Sequence, residues 1–328
     1  MTPVDSHIHW FPNSFYEFYS KRTEIPRTER NGNRWHYING NRSVDMWPEW
    51  FDLDMQWETV AKTGLDMAVI TSMGVHSDFD GLPAAEAREA ARIINEEWSA
   101  AQRRYPGKFF GIAGVPLQDT AMAIEELDHA IGTLDLRGVS IPGNIDGEGL
   151  DSPRLEDFWA HVEQLGIPMF LHPTDGVYRD IMDGYNGGIY SSIGRMVDSS
   201  TAVLRLILSG VLDRHPDLKI VHFHCGGILP YASGRLDKNI RVSTLAAKPS
   251  EYVKRMWVDT AMPHALTIEM AIKYYGRDRV FYGSDNPCWN PTAALEACNE
   301  LGLSEEERTA LFDTNVRDLV DMRAPVAV

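Results

Sequence analysis

Short apolar runs alternate with longer stretches of helical period along this chain. The first run, Val4-Asp5-Ser6-His7-Ile8-His9-Trp10, reads as a short strand. Further strands are expected at Met67–Met73, Phe109–Leu117, Arg137–Pro142, Pro168–Pro173, Lys219–Cys225, Met256–Met262 and Arg279–Ser284. Helical patterns fall between them, at Asp52–Thr63, Ala84–Tyr105, Ala121–Leu134, Pro153–Leu165, Ser199–Leu212, Leu229–Ile240 and Ala265–Tyr275. From Ser304 to Met322 a last helix is expected, with Ser304 as its cap ahead of Glu305, Glu306 and Glu307. Continuous apolar strands are buried on both faces, as in parallel sheets, so eight such units predict an α/β fold, a (β/α)8 TIM barrel. An open doubly wound sheet is the alternative. It fits less well, because no glycine-rich phosphate turn follows the first strand.

One stretch breaks the alternation. Residues 11–50 are rich in Asn, Gly, Arg and aromatics, and are expected to be irregular. A long loop inside a compact domain is functional or disordered, and its Trp, Tyr and Phe content argues against disorder. It is read as a lid or small subdomain over the mouth of a site, with a plain surface insertion as the alternative. The whole chain, 1–328, is then a single domain carrying this insertion after its first strand.

Composition narrows the class. With 44% hydrophobic and 24% charged residues, the chain has the make-up of a soluble globular protein. Its formal charge of −16 argues against nucleic acid or an anionic membrane surface as partner. Three cysteines, Cys225, Cys288 and Cys298, make no disulfide framework, which points to a reduced, cytoplasmic setting. No secretory signal and no apolar run of membrane-spanning length is seen.

The chemistry gathers at the expected strand ends, where parallel barrels carry their catalytic groups. His7 and His9 alternate on the first strand and so share a face. His172 ends the fifth, His222 and His224 share a face of the sixth, and Asp285 follows the eighth in Gly283-Ser284-Asp285-Asn286-Pro287. Five of the 11 histidines therefore lie at three strand ends. Three histidines and a carboxylate, with room for a water, make up a catalytic metal site.

These residues carry a resemblance. The run from Leu208 to Asp237, with Ser-Gly-Val-Leu-Asp-Arg-His-Pro, His224-Cys-Gly-Gly and Leu-Pro-Tyr-Ala-Ser-Gly-Arg-Leu-Asp, is similar to a signature of the amidohydrolase superfamily. It resembles in particular the branch that holds aminocarboxymuconate-semialdehyde decarboxylase and the hydroxybenzoate decarboxylases. The resemblance spans nearly the whole chain, the N-terminal Asp-x-His-x-His included. It implies that His7, His9, His172 and Asp285 ligate one divalent metal, zinc first and manganese second. It implies that His224 is the general acid/base and that Arg235 reaches a neighbouring subunit's substrate carboxylate, in a homodimer or higher homo-oligomer. A helix-surface salt bridge is the alternative for Arg235, and a packed position the alternative for His222 as a substrate contact.

Two departures stand out: Cys225 replaces the usual first glycine, and Trp47 stands where the semialdehyde decarboxylase carries a substrate-binding arginine, with Arg42 nearby. The expected activity is non-oxidative decarboxylation of an aromatic or dienoic carboxylate, with His224 moving the proton. The alternative is a hydrolase or hydratase of ring-cleavage products or lactones, in which Asp285 takes a proton from water. A non-catalytic metal-binding protein is a third reading.

Overall fold

The computed structural model describes residues 2–39, 42–74, 79, 81–174, 179–182 and 184–322. Six short parallel strands form two sheets of three. β1 (Val4–Ile8) pairs with β5 (Ala68–Thr71), which pairs with β6 (Phe109–Gly111). β7 (Val139–Pro142), β8 (Pro168–His172) and β9 (Lys219–His222) make the second sheet. Single parallel bridges continue the pairing: Ala113 with Val139, Val221 with Trp257, Val258 with Val280, and Ile8 with Asn286. Followed in order, these pairings return to β1, where Asp285 N donates to His7 O at 2.7 Å.

Alternate strand positions pack into separate clusters, as a pleat of period two requires. Val4, Ala68, Ile70, Phe110, Ile112, Phe170, Val221 and Phe281 gather in one, with Val316 and Val320 from the C-terminal segment. Val69, Phe109, Met169, Leu171 and Ile220 pack in the larger one with the helices. The expected helices are present within a few residues, among them Ala84–Arg104, Glu156–Leu165, Leu229–Asn239 and Ala265–Tyr275. Asp52 caps the Leu53–Ala61 helix through Asp54 N and Met55 N, and Ser304 and Glu307 form a capping box. No helix of the described residues is long and apolar enough to cross a membrane.

Three expectations are corrected. The strands expected at Met256–Met262 and Arg279–Ser284 are reduced to single bridges. The sixth strand does not run to Cys225 but stops at His222, because His224 (φ 59°) and Cys225 (φ 54°) are left-handed. Near the seventh and eighth strands side chains take over the ladder. Thr260 Oγ1 bonds the Gly283 backbone, and the Asp5 carboxylate accepts from Ser284 N. The 11–50 stretch is not irregular either. It holds the Asn13–Ser20 helix and an antiparallel meander of β2 (Arg27–Asn31), β3 (Arg34–Asn39) and β4 (Arg42–Met46). Trp35 and Tyr37 alternate into the core, while His36 and Asp45 pair across the outer face.

Candidate metal centre

Three of the histidines at the strand ends, His7, His9 and His172, are aimed by what holds Nδ1. His172 Nδ1 donates to Pro173 O at 2.8 Å and His9 Nδ1 to Ser72 O at 3.1 Å. A carbonyl only accepts, so both protons sit on Nδ1 and both Nε2 atoms are bare lone pairs. His7 Nδ1 donates to the buried Asp259 carboxylate at 2.5 Å, which leaves its Nε2 in the same state. The His7 ring is further fixed by stacking on Phe223, 3.7 Å between centroids.

The freed atoms converge. His7 Nε2 lies 3.2 Å from His9 Nε2, and His9 Nε2 lies 3.0 Å from Asp285 Oδ1. One ligand atom from each of His7, His172, His224 and Asp285 lies within 4.8 Å of the others, and all four residues are buried. Lone pairs and a carboxylate facing one another in a buried space repel unless a cation stands among them. Among the described residues, His172 Nε2 is buried with no hydrogen-bond partner. These residues therefore fit a divalent metal, and the imidazole–carboxylate donor set suits zinc and its first-row neighbours.

Electrostatics point the same way. Burial lowers His7, against the pull of Asp285 and Asp259. His172 is pushed well below the usual histidine range by burial and by its histidine neighbours. Burial works to raise Asp285, but His7, and then His224 and His9 beside it, hold it well below the usual carboxylate range. Neutral imidazoles and an ionised carboxylate are the forms that ligate.

His224 is placed differently. Its left-handed backbone turns the ring towards Asp285, Nε2 to Oδ2 at 3.4 Å, and its buried Nδ1 has no partner among the described residues. His222, expected on the same face, is fully buried and lies against Ser199 Oγ at 3.0 Å instead. Burial, and then His224, brings its pKa down to about 3. Trp47 is 44% exposed, with the Arg34 guanidinium 3.3 Å over its ring, and Arg235 is exposed on the Leu229–Asn239 helix. No contact of either with the histidine cluster is seen among the described residues. The side chain of Arg42 lies outside the described residues.

Sequence reasoning missed several contributors. Asp259 orients His7 and accepts from Cys225 N at 3.1 Å, and its position near the end of the seventh strand was the available signal. Trp50, not Trp47, faces the cluster, with its ring near-parallel to His9 at 6.2 Å. Gln56 binds His9 O at 2.6 Å and accepts from Asn286. Gly74 is required to be small, since a Cβ there would sit 2.4 Å from the His9 ring.

The amidohydrolase family model matches residues 4–321. The 2-amino-3-carboxymuconate-6-semialdehyde decarboxylase of Dictyostelium discoideum is 28% identical over 243 residues, 72% of this chain and 67% of its own length. Gamma-resorcylate decarboxylase of Rhizobium radiobacter is 30% identical over 252 residues, 71% of this chain and 76% of its own. Among solved structures, the apo IDCase of Metarhizium anisopliae superposes with a TM-score of 0.87 at 22% identity, covering 98% of this chain and 97% of that one. A dihydroxybenzoic acid decarboxylase from Polaromonas, with bound manganese and the inhibitor 2-nitroresorcinol, gives 0.80 at 21% identity, covering 97% and 96%.

Proposed function

The chain belongs to the amidohydrolase family, and on that premise we propose that it is a metal-dependent, non-oxidative decarboxylase of aromatic or dienoic carboxylates. The observation that carries this is the converging set of bare Nε2 atoms beside Asp285, in a chain whose relatives at about this identity are named decarboxylases. We read the closed series of parallel pairings as a (β/α)8 barrel with 11–50 as a subdomain beside its mouth. His7, His9, His172 and Asp285 are the proposed ligands of one divalent metal, zinc or manganese. Ligating histidines donate their other nitrogen to a fixed acceptor, which holds for all three of these histidines.

A bound cation would supply positive charge that holds a substrate oxygen and draws electrons from the carbon skeleton. His224 carries out the proton transfer. Its Nε2 delivers a proton to the carbon that bears the carboxylate, the bond to that carboxylate breaks, and carbon dioxide leaves. Asp285 Oδ2 lies 3.4 Å from His224 Nε2 and orients that ring for the transfer. Trp50 stands where a flat substrate can lie against its indole.

Anaerobic incubation of metal-loaded protein with hydroxybenzoates and muconate semialdehydes tests the reading. Carbon dioxide and the decarboxylated product should appear in equal amounts. Turnover of lactones or ring-cleavage products by addition of water, with no carbon dioxide from any acid, would replace it with the hydrolase or hydratase reading.

A further inference from the structure

Asp259 follows the bridge that Val258 makes with Val280, and the backbone before it is held from both sides. Val258 N donates to Arg279 O at 2.9 Å, Phe281 N to Val258 O at 3.1 Å, and His222 N to Trp257 O at 2.8 Å. Gly283 packs so close that a Cβ there would lie 3.1 Å from Asp259 Cβ. The Asp259 side chain is fully buried, as is that of His7 beside it. A side chain packed this tightly keeps one orientation.

Its two oxygens serve two different segments. Oδ2 accepts from His7 Nδ1 at 2.5 Å, and Oδ1 accepts from Cys225 N at 3.1 Å. Beyond the first bond, the Nε2 of the same His7 ring lies 3.2 Å from His9 Nε2 in the centre. Beyond the second, Cys225 (φ 54°) is the left-handed residue directly after left-handed His224 (φ 59°). One buried carboxylate thus holds a proposed metal ligand and the turn that presents the proposed proton-transfer histidine.

We propose that Asp259 is a positioning residue that couples metal binding to the placement of His224. The assignment rests on the proposed roles of His7 as ligand and His224 as proton carrier. Both partners of Asp259 are N–H donors, so the group between them must accept twice, in two directions. A carboxylate does this, and an amide of the same shape cannot, because it sets an NH2 against one donor or the other. A backbone N–H keeps its proton, whereas an imidazole can move its own. Without metal, the amide of Asp259→Asn therefore turns its oxygen to Cys225 N and its NH2 to His7, whose proton passes to Nε2. Ligation through Nε2 needs that proton back on Nδ1, and the conflict then falls on the turn that bears His224. It is moved, never removed.

Histidine 15N spectra and zinc titration, both without substrate, come first. In chelated wild-type protein the His7 signals, assigned by their loss in His7→Gln, should show the proton on Nδ1. In chelated Asp259→Asn they should show it on Nε2. Zinc should bind Asp259→Asn about 10- to 100-fold more weakly than wild-type protein. At saturating zinc the variant's kcat should still be down at least about 10-fold, with KM within about threefold, because His224 is displaced and not the substrate. The wild-type spectrum reports even if the variant fails to fold: a proton on His7 Nε2 overturns the assignment. Wild-type zinc affinity in Asp259→Asn also overturns it. So does a kcat that recovers fully at saturating zinc, which would leave Asp259 serving His7 alone. The spectra and the zinc titration need no turnover, and the kcat comparison can be made on a lactone if addition of water is the reaction. Release of no carbon dioxide from any acid would therefore reject the decarboxylase reading and leave Asp259 to be decided by its own results.

Discussion

His224 differs from the histidines around it in what holds its ring. His7, His9 and His172 each spend Nδ1 on an oxygen acceptor, so their orientation is fixed and Nε2 is committed to the centre. The Nδ1 of His224 has no such partner among the described residues. Its left-handed backbone costs on the order of 1 kcal/mol for a residue with a Cβ, and the Asp259 carboxylate bonded to Cys225 N steadies that turn. A ring fixed at only one end can exchange a proton without giving up a metal. We therefore expect His224→Asn to purify with close to one equivalent of metal and to lose about two to four orders of magnitude in kcat. His172→Ala, which removes a committed lone pair, should lose metal and activity together. Metal analysis beside steady-state kinetics checks both, and a metal-free His224→Asn would make His224 a ligand.

At the scale of elements, the junction of β1 with the segment around 280–286 is built largely by side chains. Asp5 is fully buried; its Oδ1 accepts from His7 N and Ser284 N, and its Oδ2 meets Ser284 Oγ at 2.6 Å. Gly283 packs so close that a Cβ would lie 2.8 Å from His7 Cβ. Asp5→Ala leaves two buried backbone donors unpaired and should destabilise the protein by about 2–4 kcal/mol, read from the urea midpoint at constant slope. A loss under about 1 kcal/mol would show that the backbone bonds alone close the ring. This junction also explains what could be read from sequence. The apolar runs and helical periods located the elements, and the histidines were found because they fall at strand ends. The last strands were over-extended because Thr260 and Asp5 replace backbone partners there, which no local pattern reveals. The meander at 27–46 was hidden by its polar outer face, although Trp35 and Tyr37 alternate inward. Trp50 could not be singled out, because its partner is 41 residues away, and Asp259, whose partner is 252 residues away, offered only its place near a strand end.

For the whole molecule, the surface near Arg235 is the unusual feature. Tyr231 is 87% exposed and Ile228 40%, and Ile228 N is tied to Ser200 of the helix that follows the exposed Ile189 and Ile193. Apolar side chains grouped on the face of a strongly acidic chain mark a contact surface. We propose that a second copy covers it, in an isologous dimer that brings each Arg235 towards its partner's site. Arg235→Ala then removes a group from the neighbour's site, while His224→Asn disables the subunit that carries it. Each variant alone should be nearly inactive. After mixing and exchange at equal concentration, about half the dimers are mixed, and each mixed dimer holds one site with an intact His224 and an intact Arg235 from across the interface. Activity should therefore return to about a quarter of the wild-type value, while unmixed variants stay inactive. Tyr231→Lys, which puts a charge into the covered face, should shift sedimentation at micromolar concentration towards monomer and abolish the recovery. Full turnover by Arg235→Ala alone, or a wild-type protein that sediments as a monomer, would leave Arg235 as an ordinary surface residue.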